Sequence, residues 1–506
     1  MPRKVTFTIS NPLLTSRLKN YRTYHYMKTK NIINPLLLVI LIPFVTKSEQ
    51  KPNILFLFSD DQCFETIGSL GITDIETPNL DRLVKSGTTF TRAYNMGSWS
   101  GAVCLASRHM LNTGRFLWRA EEASKKAETE RAAGRFWSEN MKSAGYKTYM
   151  TGKWHVRASA EKCFDITRNV RGGMPNQTPQ GYNRPLADQP DPWSPYDPKF
   201  DGFWKGGKHW SEIVADDAID YFMDAKKHIK QNPFFAYIAF NAPHDPRQAP
   251  KEFIDKYPLK RIKIPSNFLP MYPYKDKIGC SHNLRDEKLA PMPRTKHSIK
   301  VHRQEYYAII THMDVQIGRI LDSLEKSGMA ENTYIFYSSD HGLGVGHHGF
   351  LGKQNLYEHS TCVPFIVKGP NIPKGKIISE PIYLQDVMPS SLAIAGIEKP
   401  KHVEFHDIIP LAKGETDSSP YREIYGAYLN VQRSITVDNY KLIAYPSVPI
   451  MRIYNLGNDP YEKNDLASKP SGKKVIRRLL PRLIKLQKEM GDTLDLTLSF
   501  PEFKSK

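Results

Sequence analysis

The sequence has little cysteine and comparatively little acid. Five Cys in 506 residues are too few for a small disulfide scaffold. Asp and Glu number 52 against 71 Lys and Arg, which leaves a formal charge of +19. Residues 1–50 hold eight Lys or Arg and one Glu, so removing them leaves +12. A shortage of acid on that scale favours polyanionic partners: nucleic acid, anionic lipid or a sulfated glycan. Internal repeats and low-complexity tracts are missing too, which sets aside solenoids and disordered linkers. What remains is ordinary globular composition, 40% hydrophobic and 24% charged, in a chain long enough for two or three packed units.

From Met27 the chain reads MKTKNIINPLLLVILIPFVTKSEQ. Lys28 and Lys30 form a basic head, and residues 32–45 an apolar stretch interrupted by Asn34 and Pro35. That length suits a secretory signal better than a membrane span, although VTKSEQ lacks the small residues of a usual cleavage site. Residues 1–26 then read as an over-long N-terminal extension and residues 27–50 as a signal peptide. No Cys lies between Met27 and Gln62, which argues against a lipid anchor. The expectation is an exported protein, periplasmic or secreted, with no stable membrane anchor.

Beyond Lys51, short apolar runs alternate with helical patterns. ILFLF at 54–58, FFAYIAF at 234–240, and the runs at 146–150, 334–337 and 365–367 read as buried strands. Thr77-Pro78 opens a helix that presents Leu80, Leu83 and Val84 on one face and ends at Gly87. A longer helix is predicted over 304–326, with Ile309, Ile310, Met313, Ile317, Ile320, Leu321 and Leu324 on its apolar side. This alternation predicts an α/β fold with a large, mostly parallel sheet sandwiched by helices. Two loop-like inserts, 169–210 and 265–295, interrupt it. After about Pro410 a hairpin around Asp438-Asn439 and a basic segment near 473–490 predict a small α+β subdomain with an antiparallel sheet. The main unit is placed at 51–412 and the C-terminal subdomain at 413–506.

Polar residues gather just after these runs. Asp60 and Asp61 follow ILFLF; Lys153 and His155 lie in TGKWH; His244 follows FFAYIAF; Asp340 and His341 follow YIFYSS; Lys353 comes after a Gly- and His-rich loop. In open α/β sheets, ligands bind beyond the carboxyl ends of the strands, so four strands would deliver these groups to one crevice. Three carboxylates meeting there would repel one another unless a hard divalent cation held them. CLASRHMLNTGR at 104–115 adds a helix start, with Cys104 at its positive end and Arg108 one turn on along the same face. By chemistry alone Cys104 reads equally as a nucleophile or as a small buried hydrophobe.

CLASRHMLNTGR resembles the signature of the formylglycine-dependent (type I) sulfatases of the alkaline-phosphatase-like superfamily, Cys-x-Pro/Ala-Ser-Arg followed by Thr-Gly-Arg. The Asp-Asp pair, Gly-Lys-Trp-His, Ala-Pro-His, Asp-His-Gly and the later Lys resemble the same pattern, in order. RSITVDNYKLI…YNLGNDPYEKNDL resembles the family's closing subdomain. The resemblance implies that a maturation enzyme oxidises Cys104 to formylglycine, whose hydrate attacks the sulfur of a sulfate ester and then expels sulfate. It implies a Ca2+ (or Mg2+) held by Asp60, Asp61, Asp340, His341 and the modified residue 104. Arg108 would steady the hydrate, Lys153 and Lys353 would offset sulfate charge, His155 would be the base for sulfate elimination, and His244, sharing the task with Lys353, the proton donor to the leaving alcohol. Ala106 stands where Pro is commoner. His341 stands where many members have Asn, which loosens the inference about the metal. The substrate class implied is a sulfated glycan or small sulfate ester, with no nucleic-acid partner. The alternatives are a phosphate mono- or diester hydrolase of the same superfamily and a non-catalytic binder of sulfated glycans. Trp193, Trp204 and Trp210, in the first insert, are candidates either for stacking on sugar rings or for packing roles.

Overall fold

The computed structural model describes residues 50–501; the proposed extension, and the signal peptide up to residue 49, lie outside them. ILFLF becomes the centre of strand β1 (Asn53–Ser59), buried along its whole length. A run apolar on both faces is what a central parallel strand needs, because helices cover it from both sides. Alternate residues confirm this. Leu55 and Leu57 join one core cluster, while Ile54, Phe56 and Phe58 join a second on the opposite face.

The remaining strands are β2 (Thr88–Tyr94), β3 (Lys147–Lys153), β4 (Ile166–Arg171), β5 (Phe234–Ala239), β6 (Thr333–Ser339), β7 (Cys362–Lys368) and two short edge pieces, β8 (Lys376–Ile378) and β9 (Ile382–Tyr383). Their order is β8-β2-β7-β6-β1-β5-β3-β4, with β9 also on β2. β1 pairs in parallel with both β5 and β6, and β7 pairs antiparallel with β6 and β2. The sheet is therefore mostly parallel, as predicted.

Helix α1 (Pro78–Ser86) buries Leu80, Leu83 and Val84. α2 (Val103–Thr113) carries the CLASRHMLNT segment and ends on Gly114 at φ 66. α3 (Trp210–His228) and the long α4 (Lys296–Ser327) cover one face of the sheet. α4 begins eight residues before the predicted 304. Thr295 caps it by accepting a hydrogen bond from the Ser298 N–H at 3.0 Å, a start signal that the polar first turns concealed. All five cysteines are free and buried.

Beyond the main sheet, β10 (Ile424–Tyr428), β11 (Gln432–Val437), β12 (Tyr440–Tyr445) and β13 (Ile450–Asn455) form an antiparallel sheet. Gly97–Ser98 adds a parallel edge to β10. Asp438, at φ 53, makes the predicted hairpin turn. Helix α5 (Pro470–Met490) packs Ile476, Leu479, Leu480, Leu483 and Leu486 into the same core cluster as Ile435 and Leu442. Among the described residues no helix is long and apolar enough to cross a membrane.

One glycine links fold to site. Gly152, in the Gly-Lys-Trp-His segment, has φ +88, and a Cβ there would lie 1.8 Å from the Ala239 carbonyl oxygen of β5. The register against β4 shifts at this point, so the strand kinks as it presents Lys153. Gly152→Ala combines left-handed strain with a backbone clash, each worth about 1–3 kcal/mol. A lower urea midpoint together with reduced turnover is the expected result; an unchanged midpoint would show that the kink is not needed.

Candidate functional site

The strand ends converge as the sequence suggested. The Asp60 N–H donates to the Ala242 carbonyl at 3.0 Å and the Asp340 N–H to the Ser59 carbonyl at 3.2 Å, which ties the exits of β1, β5 and β6 together. Asp61 sits at φ 68, and the Tyr306 hydroxyl holds its carbonyl at 2.7 Å. Asp60, Asp61, Cys104 and His244 bring one ligand atom each to within 4.8 Å of one another, all buried. The Cys104 thiol lies 3.2 Å from Asp60 Oδ1 and 3.4 Å from Asp61 Oδ1. Lys153 Nζ donates to Asp60 Oδ2, and Lys353 Nζ to Asp61 Oδ2. Lys353 Nζ is also 3.2 Å from Cys104 Sγ.

Two residues predicted as metal ligands lie beside this group rather than within it. Asp340 Oδ2 accepts from Arg108 Nε at 2.8 Å, and its Oδ1 accepts from the Asp61 N–H at 3.1 Å. His341 Nδ1 faces the Gly342 carbonyl at 3.1 Å. Arg108 acts on Asp340 and on the Lys153 carbonyl, 2.6 Å away, and its Nη2 is buried without a hydrogen-bond partner. Among the described residues that leaves one strong donor of Arg108 unspent within the cluster.

Electrostatics show what the cluster lacks. Burial, with Asp340 nearby, pushes Asp60 up to about 8, and burial raises Asp61 to about 6 despite Lys353. Asp340 is held well below the usual carboxylate range: burial opposes its charge, but Arg108, Lys153 and Lys353 outweigh burial. Burial and the surrounding carboxylates push the Cys104 thiol up, so it stays protonated. Two lysines therefore do not fully compensate the acids. Oxygen donors short of positive charge fit a hard divalent cation.

A cavity of about 330 Å3 opens onto this centre, lined by Cys104, Lys153, His155, His244 and Lys353 among others. His155 has φ 49 and a buried Nδ1 without a partner. Burial, Lys153 and Arg108 lower its pKa to about 3, which keeps the imidazole neutral. His244 Nδ1 lies 2.7 Å from the Asp245 carbonyl, so Nδ1 carries the proton, and Nε2 faces Asp61 Oδ2 at 3.6 Å.

Sequence reasoning missed the far wall. Arg285, Asp286 and Gln354 also line the cavity. Arg285 Nη2 bonds Asp286 at 2.7 Å and approaches His244 Nε2 at 3.3 Å, while Nη1 bonds Asp245. The first insert contributes Gly173 and Met174, but not its tryptophans. Trp193 stacks on Phe200, Trp204 packs edge-on to His209, and Trp210 lies under Arg171. Of the two readings left open for them, packing is the one observed.

A sequence model of the sulfatase family matches residues 52–397, and one for the C-terminal region of N-sulphoglucosamine sulphohydrolase matches residues 346–489. An ulvan-active sulfatase of Formosa agariphila is 27% identical over 90% of this chain and 83% of its own length. An arylsulfatase of Clostridium perfringens is 28% identical over 86% of this chain and 94% of its own. The fold matches that of a protein solved in complex with its substrate D-glucosamine-2-N,6-O-disulfate, with a TM-score of 0.68 at 23% identity, over 88% of this chain and 99% of the other. With strand ends, helix start and family pattern in agreement over most of its length, the chain belongs to the sulfatase family and is a sulfuric-ester hydrolase.

Proposed function

We propose that the protein is an exported hydrolase that removes sulfate from a sulfated carbohydrate, using residues 51–412 as the catalytic unit and 413–506 as a supporting subdomain. The observation that carries this is the position of Cys104, buried at the start of α2 with its thiol 3.2 Å and 3.4 Å from the Asp60 and Asp61 carboxylates. It occupies the second position of α2, where first-turn N–H groups favour an oxyanion, yet its thiol is held protonated. A thiol that does not ionise is a poor nucleophile; conversion to formylglycine by a maturation enzyme supplies a hydrate hydroxyl in its place. Asp60, Asp61 and residue 104, joined by the adjacent Asp340 and His341, would hold a Ca2+ or Mg2+, which would supply charge to orient sulfate oxygens and the nucleophile. Lys153 and Lys353 neutralise the bound sulfate, and the free Nη2 of Arg108 steadies the oxygen at residue 104. His155, neutral and open to the cavity, takes a proton when sulfate leaves. His244 gives one to the departing sugar alcohol. Relatives named as an ulvan-active sulfatase and an N-acetylglucosamine-6-O-sulfatase support this substrate class.

The test is sulfate release from a panel of sulfated mono- and oligosaccharides, alongside aryl sulfate and aryl phosphate esters. Sugar sulfates turn over and phosphates lag far behind. The tryptic peptide spanning residue 104 has the mass of the aldehyde rather than the thiol. Faster phosphate than sulfate hydrolysis, or an unconverted Cys104 in active protein, overturns the reading.

A further inference from the structure

Positive charge is not spread evenly over this molecule. Of the +12 that remains beyond residue 50, half sits on helix α5, which carries seven Lys or Arg and one Glu in PSGKKVIRRLLPRLIKLQKEM. The helix buries its leucines against the C-terminal sheet, so the basic residues are left on the other face. Lys473, Lys474, Arg477, Arg478, Lys485 and Lys488 are all exposed. Lys473 with Arg477 and Lys474 with Arg478 are four residues apart, and Lys485 with Lys488, seven residues beyond Arg478, continue on the same side of the helix. From residue 473 to 488 the stripe runs about 22 Å at the helical rise of roughly 1.5 Å per residue.

Most basic residues elsewhere that face acids are paired with them. Here Arg478 reaches Asp438 only at 3.9 Å, and Lys485 reaches Glu489 at 3.7 Å. Lys473, Lys474, Arg477 and Lys488 have no ion-pair partner among the described residues. Arg482 turns off the stripe to Glu423 and lines a groove of about 530 Å3 with Arg92 and Arg422. Like charges at this spacing destabilise a helix by a few tenths of a kcal/mol per pair, so folding alone gives no reason to gather them.

We propose that the exposed face of α5 is a docking ridge for a sulfated polysaccharide, separate from the cavity that hydrolyses the ester. A linear polyanion complements an elongated cationic face, and contact releases its condensed counterions. This rests on the sulfated-carbohydrate reading, because the same polymer would supply the ester cleaved in the cavity. An enzyme that holds its polymer at a second surface raises the local concentration of esters near its active site.

The experiment uses the full chain and a variant carrying Lys473→Gln, Lys474→Gln, Arg477→Gln and Lys488→Gln. Gln keeps helix propensity, and none of the four lies in the cavity. Binding is measured to dextran sulfate across a salt series, with duplex DNA and phosphatidylserine vesicles as comparison arms. Affinity for dextran sulfate falls roughly 10- to 100-fold, and the slope of log affinity against log salt becomes shallower by about three. The four-residue Lys/Arg swap retains binding, and hydrolysis of a small aryl sulfate is unchanged. Unaltered dextran sulfate affinity overturns the ridge, as does tighter wild-type binding to DNA or vesicles. Failure of the underlying reading looks different: no sugar sulfate is hydrolysed, whatever the binding result.

Discussion

Cys104→Ala is expected to abolish sulfate-ester turnover, with kcat falling by at least about 10⁴-fold, because removing a nucleophile leaves only binding and charge stabilisation. The fold should survive. Cys104 is 3% exposed, but its thiol mainly faces Asp60, Asp61 and Lys353 rather than apolar packing. Ala is the best helix former, so a change within about 1 kcal/mol is expected in a denaturant titration. Steady-state rates on an aryl sulfate and the urea midpoint are read from one preparation. Near-normal activity in that variant would place the nucleophile elsewhere.

The centre was legible because its parts lie where strands end. Buried parallel strands are apolar on both faces, so ILFLF and FFAYIAF stand out in the sequence, and the first polar residues after them must face the crevice. Asp60, Asp61, His244 and Asp340 follow from that argument. Elements with mixed faces were not legible. β4 (ITRNVR) is a half-exposed edge, and β2 (TTFTRAY) mixes Thr and Arg with its apolar residues. The first turns of α4 depend on a Thr295 cap rather than on periodicity. Arg285 and Asp286 come from an irregular insert whose path is set by tertiary contacts, so no spacing in the sequence marks them. The tryptophans of the first insert carry the same signal whether they stack on a sugar or on protein. Their neighbours separate the two: Phe200 for Trp193, His209 for Trp204 and Arg171 for Trp210.

The remaining large effect concerns the two cavity histidines. His244→Ala should cost a sugar sulfate about 10²–10⁴-fold, the usual worth of general acid catalysis, and a nitrophenyl sulfate much less. An alkoxide is too basic to leave unaided, whereas a nitrophenolate needs little help. The geometry sets a condition on this role. With Nδ1 donating to the Asp245 carbonyl, His244 must carry its transferable proton on Nε2. Burial, Lys353, Lys153 and Arg285 all press its pKa well below the ordinary value. A bound sulfate ester brings negative charge between those cations and the imidazole, which raises the proton affinity of Nε2 when the acid is needed. Lys353, kept charged against burial by the Asp61 and Asp286 carboxylates, would serve as a reserve donor. Lys353→Ala should therefore also hit the sugar sulfate harder than the aryl ester. His155→Ala, by contrast, would remove the proposed base of the second step, so it should slow both esters alike and let sulfated protein accumulate. The paired readout is the rate ratio on the two ester types and the intact-protein mass after substrate is added. Equal losses on both esters for His244→Ala, with no sulfated form in His155→Ala, would reverse the division of labour while the sulfatase chemistry at residue 104 stood.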